Sequence, residues 1–444
     1  MSFVNGYMKV VRKVLPSPLS IAIILTVLTG ILALVFTEPI PNKHPVISVL
    51  DHWHAGFWSF LAFTMQMMLM LVLGHTIALS STANRIIRRI TGLCQTNGQA
   101  AVFVTLFSLT AGYINWGLGL IFGAILARKV GEHAKEKGID LNYPLITACG
   151  YTSLMVWHGG LSGSAPLTVN TVDHSLVDIM GVLPVSETIF SQSNIVAVIA
   201  TLVLLPLFAL FLSKRSYQKS YPKSIRTKTN SKDSPEGAEK LDHSKMFGIL
   251  FGLIFVFYWC YLLWSNHFSF DFLNLDTINF ILFGLAITFH GSLYKFVKAA
   301  DQAIKGSTGI MIQFPLYAGI MGIMKFSGLL AVFADFFMDI STTETFPFFA
   351  YLSSAVVNIL VPSGGGQWQV QGPILIEAAT KLNVPFAKTV MSLSYGDQLT
   401  NMLQPFWALP LLGITGLKAK DILPYSILFM LVGGSIFLSI LYLF

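Results

Sequence analysis

The chain has 444 residues, 54% of them hydrophobic and only 11% charged, with a formal net charge of +7. Soluble domains carry about 25% charged residues, and this chain has several apolar runs long enough to span a bilayer, so the composition excludes a soluble globular protein. The basic residues lie in short segments between apolar runs, where they set membrane orientation and give no indication of nucleic-acid binding. The sequence predicts an all-α polytopic membrane protein.

The first half of the chain contains four predicted spanning segments. Lys9, Arg12 and Lys13 precede the first apolar run, which is too long for a signal peptide, so we expect a retained helix and a cytoplasmic N-terminus. Residues 38–56 are expected to form an outer loop. The four segments are predicted at 18–36, 57–79, 143–155 and 193–212.

The apolar stretch at about 99–127 does not fit a simple span. It would make a helix of about 43 Å, longer than the hydrocarbon core of about 30 Å. Both of its ends reach basic segments, and its middle holds Asn115 and Trp116 among glycines. These features predict a re-entrant hairpin that enters from the cytoplasm and has its tip near Asn115. A further break is predicted at 157–166, in WHGGLSGSAP.

The second half repeats this plan in the opposite orientation, after a polar stretch at 213–244 that we interpret as a flexible cytoplasmic linker. A second hairpin is predicted at about 346–380, entering from the outside because the flank 331–346 carries acids and no basic residue. The other predicted segments are 246–264, 278–294, 308–330, 387–417 with a break at 404–405, and 422–444.

The two halves together predict an inverted repeat. Residues 1–212 form the first copy, 213–277 the linker and connecting helix, and 278–444 the second copy. The predicted architecture has about nine spanning helices and two re-entrant hairpins. Inverted repeats with discontinuous helices are typical of secondary transporters, which bind substrate near the midplane.

A glycine-rich stretch in the second hairpin, VPSGGGQWQVQGP, is the first candidate site. Glycine is unfavourable in a helix interior but lets backbone approach a ligand, and the N–H groups at a helix start bind anions without a buried cation. We expect the two hairpin tips to hold a small anion, with a plain glycine-rich turn as the alternative. Trp116 and Trp368 would wall an apolar pocket or anchor the interface. The predicted substrate-binding residues are Asn115, Trp116, Gly117, Ser363, Gly364, Gly365, Gly366, Gln367 and Trp368.

Asp397 is the acid best placed inside a predicted span, which makes it a functional candidate. It would carry a coupling proton or help to bind Na⁺, with Tyr395, Gln398 and Asn401 beside it; the alternative is an acid paired with a neighbouring donor. His158 would shuttle a proton or be hydrogen-bonded in the wall. Further polar candidates are Ser162, Ser164, Gln66 and Gln313, with packing or a bond between helices as the alternative for Gln66.

Several stretches of this sequence resemble the short-chain fatty acid transporter (AtoE) family. The stretches are VPSGGGQWQVQGP, SYGDQ, QPFWALP, FWSFLAFTMQM, INWGLG and SGSAPL, and the resemblance covers nearly the whole chain. It implies uptake of butyrate-like or acetoacetate-like monocarboxylates across a bacterial inner membrane. It also implies membership of the ion-transporter superfamily, many of whose members work as dimers with a scaffold and a moving transport part.

The sequence therefore predicts a secondary transporter of short-chain monocarboxylates, driven by H⁺ symport or alternatively by Na⁺, with no cofactor and no metal site. A cation/proton antiporter that uses Asp397 is the first alternative. A channel or a membrane-embedded enzyme is less well supported, because an enzyme would have only His158 and Asp397 as a catalytic pair. The three cysteines, Cys94, Cys149 and Cys260, are too far apart in sequence to indicate a disulfide framework.

Overall fold

The computed structural model describes residues 18–215, 219–222, 237–361 and 363–444 of the chain. In these ranges the regular structure is helical, apart from one isolated bridge between Asn142 and Ser220. The predicted all-α fold is confirmed.

Nineteen helices of six or more residues, labelled here in chain order, make up this structure. The first half contains α1 (Pro18–Phe36), α2 (Pro45–Phe57), α3 (Leu61–Ala78), α4 (Ser81–Leu93), α5 (Asn97–Ile114), α6 (Trp116–Lys137), α7 (Tyr143–Tyr151), α8 (Ser164–Val169) and α9 (Gln192–Arg215). The rest contains α10 (Lys245–Ser265), α11 (Leu275–His290), α12 (Leu293–Ala303), α13 (Thr308–Ser327), α14 (Leu329–Ile340), α15 (Phe346–Leu360), α16 (Gly364–Leu382), α17 (Phe386–Thr400), α18 (Pro405–Thr415) and α19 (Ala419–Leu443).

Five helical stretches among the described residues are long and apolar enough to cross a membrane. They are Leu61–Ala78, Gln192–Arg215, Lys245–Ser265, Leu293–Ser327 and Ala419–Leu443. Shorter apolar helices accompany them, so the chain is a multi-pass membrane protein, while the count of nine spans stays a prediction.

Two predictions fall partly on residues that the structure does not describe. The basic N-terminal segment that predicted a cytoplasmic N-terminus lies outside the described residues, and so does most of the predicted linker at 213–244. Inverted orientation of the two halves likewise stays a prediction.

The prediction of a loop at 38–56 is wrong, because α2 occupies most of it. This helix begins at Pro45, a residue whose fixed φ suits the first helical position. A Cβ on Gly56 would lie 2.6 Å from the Cα of Gly322, so α2 and α13 pack backbone to backbone. Asp51 and two histidines interrupt its hydropathy, which is why the apolar pattern did not reveal a helix.

Other boundaries also differ from the predictions. Segment 57–79 is helical as α3 only from Leu61, and part of the acidic flank at 331–346 forms α14, where Asp335 pairs with Lys381 at 2.7 Å. The first predicted hairpin continues past residue 127 to Lys137. Its charged end remains helical because Val130 and Ala134 are buried beneath it, and Gly138, at φ +68°, ends the helix in the left-handed conformation.

Both predicted hairpins are pairs of helices that meet at a short break. Helices α5 and α6 are joined at Asn115 alone, and α15 and α16 are joined through residues 361–363. A Cβ on Gly119 would lie 2.5 Å from the Cα of Gly112, so the arms of the first pair touch through their backbones. Re-entry of these pairs into a membrane stays a prediction.

Two more helices are interrupted, and their interruptions contact each other. After α7 the chain makes a 3₁₀ turn (Thr152–Met155) and then runs irregularly to α8. Helix α17 ends in the turn Asn401–Leu403 before α18 begins. The first break begins earlier than the predicted 157–166. The second break lies at Asn401–Leu403, just before the predicted 404–405, and Tyr395 and Asp397 lie inside α17.

Candidate functional site

The starts of α6 and α16 are built in the same way. Each has a polar residue in extended backbone conformation just before its first turn, Asn115 in one case and Ser363 in the other. Asn115 Oδ1 accepts the N–H of Leu118 at 2.8 Å, and Ser363 Oγ accepts the N–H of Gly366 at 3.2 Å. Such caps satisfy only one of the four free N–H groups at a helix start.

The remaining N–H groups of the α16 start are available to a ligand. Neither Gly364 nor Gly365 donates its N–H to an acceptor within the described part of the chain. The N-terminus of a helix also carries about half a positive charge. At α6, the N–H of Trp116 donates to Ser162 Oγ at 2.9 Å, and Gly117 lets the helix cross Leu71 of α3 closely. The α16 start therefore has more unbonded N–H groups than the α6 start.

Both helix starts line one small cavity. Its volume is about 20 Å³, enough for about one water molecule and too small for a four-carbon acid. Ser164, Ser363 and Asn401 supply the polar side chains of its wall. Trp116, Gly364 and Gly365 are also part of this wall, so six of the predicted site residues come together here. The structure has this site closed.

Tryptophan side chains form much of the apolar wall, although only one of them was predicted. Trp116 contacts Trp407 edge-on with ring centroids 5.2 Å apart, and it lies 6.1 Å from Trp157. Trp407 and Trp157 were missed, although PFWALP and WHGGLSG in the sequence both place a tryptophan beside a break. Trp368 is not at this cavity: it lies one turn into α16, and Gly372 leaves room for its indole in a separate apolar cluster.

Gln367 ties α16 to α15 and does not line the cavity. Its Nε2 donates to the carbonyl of Ser354 and to Gln371 Oε1, both at 2.9 Å. The two N–H bonds of the amide are thereby used within the protein, so Gln367 is not free to bind a carboxylate. Its predicted role as a ligand is replaced by one in holding the hairpin together.

Asp397 is fully buried in α17 and is paired with His158. Its Oδ2 lies 2.7 Å from His158 Nδ1, whereas its Oδ1 has no hydrogen-bond partner among the described residues. The backbone N–H of His158 donates to Gln398 Oε1 at 3.1 Å. The irregular segment after α7 is thus held against the buried face of α17 by side chains 239 and 240 positions away in sequence.

Asn358 of α15 is a central polar residue that sequence reasoning missed. Its Nδ2 lies 2.6 Å from the carbonyl oxygen of Asp397, and 3.0 Å from both Thr400 Oγ1 and Asn401 Oδ1. Its own carbonyl accepts a hydrogen bond from Gln404. An asparagine inside the apolar run FPFFAYLSSAVVNIL was a readable signal for such a site.

The other predicted residues have mainly structural contacts. Tyr395 donates its hydroxyl to Asn194 Oδ1 at 3.0 Å, and its ring stacks on Phe437. Gln313 accepts the hydroxyl of Tyr317 at 3.3 Å. The contacts of Tyr395 hold α17 against α9 and α19, whereas the bond between Gln313 and Tyr317 lies within α13.

A larger cavity of about 380 Å³ lies next to the closed site. Gln66, bonded to Asp276 at 2.6 Å, and Gln369 line it, and Asp173 and Lys325 are among its charged residues. Phe63 lines this larger cavity, and its ring stacks on Phe314, a wall residue of the small cavity, with the ring centroids 5.7 Å apart. A Cβ on Gly365, which also lines the small cavity, would lie 2.7 Å from the Phe63 ring. Phe63 therefore separates the two cavities.

His174 lines the same larger cavity from the loop after α8. Burial lowers the pKa of its imidazole, so the ring is neutral near pH 7. Its Nε2 donates to the carbonyl of Gly181 at 2.9 Å, and its Nδ1 accepts the N–H of Leu176. Lys325 is consequently the cationic side chain in the described lining of this cavity.

Comparison with known proteins gives matches over the whole chain. Residues 3–444 match the family model described as short chain fatty acid transporter. A protein of Escherichia coli (strain K12) named as a short-chain fatty acid transporter is 37% identical over 450 residues, which cover 98% of this chain and 97% of that protein. A protein of Haemophilus influenzae with the same name is 35% identical over 446 residues, covering 97% of each chain.

Two solved transporters share the fold. The crystal structure of the Alcanivorax borkumensis YdaH transporter has a TM-score of 0.58 with 15% identity, covering 95% of this chain and 98% of that one. Neisseria gonorrhoeae MtrF, described as illuminating a class of antimetabolite efflux pumps, has a TM-score of 0.56 with 16% identity, covering 98% and 97%. At such identities the likeness concerns the fold alone.

Proposed function

This chain belongs to the short-chain fatty acid transporter family, and we propose that it takes up butyrate-like and acetoacetate-like monocarboxylates by H⁺ symport across a bacterial inner membrane. Its relatives are named as transporters and not as enzymes, so the chain is a multi-pass membrane transporter. The substrate, the coupling ion, the membrane and the orientation belong to the proposal. So do the inverted repeat of 1–212 and 278–444 and a homodimeric assembly.

The convergence of two helix starts on one closed cavity carries the proposal. In the proposed complex, the substrate carboxylate accepts hydrogen bonds from the backbone N–H groups of Gly364 and Gly365. Ser363 and Asn401 lie beside these groups in the cavity wall. The three tryptophan rings and Phe314 contact the short apolar body. No lysine or arginine is part of the described lining, which favours a ligand with a single negative charge.

Asp397 is the proposed carrier of the coupling proton. Its Oδ1 is buried and has no hydrogen-bond partner in the part of the chain that the structure describes, so a proton bound there removes an uncompensated charge from a dry site. Carrying one proton with one carboxylate makes the loaded transporter electrically easier to reorient through the bilayer. Gln398 and Asn401 hold the neighbours of this acid in place: Gln398 accepts the backbone N–H of His158, and Asn401 accepts the side-chain amide of Asn358.

Na⁺ is the second candidate for the coupling ion, and one observation favours it. Asn358 Oδ1 and Gln404 Oε1, like Asp397 Oδ1, are buried oxygens without a hydrogen-bond partner in the described chain. Oxygen atoms of amides and carboxylates are the ligands that hard cations prefer. A Na⁺-driven variant of the same mechanism would place the ion among these oxygens.

The experiment that tests this proposal is uptake of labelled butyrate into proteoliposomes, with pH and Na⁺ gradients imposed separately. Because protonated butyrate crosses lipid unaided, protein-free liposomes under the same gradients supply the background. We expect saturable uptake above this background, driven by acid outside and accelerated by unlabelled butyrate inside. Uptake driven by Na⁺ alone would identify Na⁺ as the coupling ion. Cation flux without butyrate uptake would establish the antiporter, and acceleration by internal butyrate would exclude a channel.

A further inference from the structure

We propose that His158 is a neutral positioning residue that links the carboxylate site to Asp397, and that it does not carry the coupling proton itself. This inference rests on the proposed function, because it assigns Asp397 the coupling role. The evidence for it is the set of contacts that the His158 ring makes through its two nitrogens, Nδ1 and Nε2, and through the Cε1 atom between them.

The backbone fixes which nitrogen of this imidazole bears the proton. The N–H of Ala165 donates to His158 Nε2 at 3.1 Å, so Nε2 must present its lone pair. A neutral imidazole then has its hydrogen on Nδ1, which lies 2.7 Å from Asp397 Oδ2. A proton added to Nε2 would point at the backbone N–H hydrogen of Ala165, so that two donors would face each other. The ring is therefore held neutral by a backbone group that has no second state.

This arrangement restricts where Asp397 can take up a proton. Oδ2 accepts the Nδ1–H of His158 in every state that keeps the ring in place, which leaves Oδ1 as the protonation site. One H⁺ from water on one side converts the carboxylate to the acid at Oδ1. The same H⁺ returns to water on the other side, and the charge on His158 does not change.

Other titratable groups on the neighbouring elements make no hydrogen bond or ion pair with this carboxylate in the part of the chain that the structure describes. The hydroxyls of Tyr151, Tyr351 and Tyr395 bond to Asn401 and Gln404, to Gly434, and to Asn194, respectively. Glu377 and Lys381 on α16 pair with each other at 3.6 Å and are partly exposed. Lys388 lies in the first turns of α17, nine residues before Asp397, and Asp421 caps the start of α19. Only His158 is bonded to the Asp397 carboxylate in the described residues.

The same ring is in contact with the carboxylate site. A Cβ on Gly364 would lie 2.9 Å from His158 Cε1, so the imidazole borders the start of α16. Its face stacks on Trp157 at 4.4 Å, and Trp157 lines the small cavity. A carboxylate that displaces Trp157 or the α16 start must therefore move the group that holds Asp397 Oδ2.

Two substitutions separate the two bonds of this ring. In His158→Asn the amide NH₂ occupies the place of Nδ1 and keeps the donor to Asp397, while the acceptor for Ala165 is lost. In His158→Gln the amide oxygen reaches the place of Nε2 and accepts from Ala165, while Asp397 loses its donor. The two variants are each other's control for side-chain size and polarity.

The measurement is the external-pH dependence of butyrate uptake by each variant at constant internal pH, with exchange of internal and external butyrate recorded in parallel. His158→Asn should keep the natural midpoint. His158→Gln should move the midpoint to higher pH by about one unit, a tenfold change in proton affinity, because the charged carboxylate loses its donor. Equal shifts in both variants, or slower uptake with unshifted midpoints in both, would overturn the inference.

A second readout needs no active variant. In ¹⁵N-histidine-labelled natural protein, with either substitution assigning the signal, His158 should show a protonated Nδ1 and an unprotonated Nε2 throughout the pH range of uptake. A signal that becomes doubly protonated in that range would make His158 a proton carrier. Failure of the proposed function would be distinguished, because the natural protein would then show no pH-driven butyrate uptake at all.

Discussion

Gly365→Leu is expected to abolish butyrate uptake, on the order of 100-fold or more, while the protein still inserts in the membrane. Even a Cβ at this position would lie 2.7 Å from the Phe63 ring. A leucine would also fill the closed cavity and cover the free N–H groups at the start of α16. The measurement is saturable uptake normalised to the amount of reconstituted protein.

The chain offers a matched control for this change. Gly413 of α18 is a helical glycine around which a Cβ would meet nothing within 4 Å, so Gly413→Leu should keep its activity. The milder Gly365→Ala should lose roughly tenfold, and Phe63→Leu in the same chain should restore part of the loss by making room. Full activity in Gly365→Leu would remove the triple glycine from the binding site.

Asp397→Asn is expected to abolish gradient-driven accumulation of butyrate while sparing exchange. The asparagine keeps an oxygen that accepts the Nδ1–H of His158, so the fold of this region should persist. It cannot take up a proton, so the driving gradient no longer has a group to act on. Exchange should stay within about tenfold of the natural chain, because the contact that positions the site is retained.

The control for this second change is another acid converted in the same way. Asp335 of α14 is exposed and pairs with Lys381, away from the closed cavity. Asp335→Asn should accumulate butyrate as the natural chain does, since an exposed ion pair contributes little to stability. Accumulation by Asp397→Asn under a pH gradient would show that the proton is carried elsewhere.

Local sequence signals predicted the parts of the site that break regular structure. Three glycines after a serine, and an asparagine and tryptophan among glycines, marked the starts of α16 and α6. Glycine and proline are unfavourable inside apolar helices, so their clusters reveal where the backbone is interrupted for another purpose. Asp397 was equally visible, because an acid within an apolar run is unusual.

Contacts between distant segments could not be predicted in this way. The bond from His158 to Asp397 joins residues 239 positions apart, and the clamp from Asn358 to Asn401 depends on how α15 packs against the end of α17. The contacts of Trp368 and Gln367 differ from their predicted roles in substrate binding for the same reason. Both lie in the predicted motif, yet the rotation of α16 turns them toward α15 and a separate apolar cluster.

Helices with mixed polarity were the other feature that the sequence pattern did not predict. Helix α4 buries Ile87 and Ile90 beneath three exposed arginines, and a search for continuous apolar runs reads such a segment only as a basic loop. Helix α2 was missed because Asp51 and two histidines interrupt its apolar pattern, although it packs closely on α13 through Gly56. Their helical form depends on packing against neighbours as much as on their own composition.

Protection of a thiol placed at the start of α16 tests whether the substrate carboxylate binds there. Ser363→Cys is made in a chain whose Cys94, Cys149 and Cys260 are all replaced by alanine, so that the introduced thiol is the one that reacts. Butyrate at about ten times its Kd should slow modification of the thiol at position 363 about tenfold, because only unliganded protein reacts. Uncharged butyramide, the matched control ligand, should not protect. Equal modification rates at position 363 with butyrate, with butyramide and without ligand would contradict a carboxylate site at this helix start.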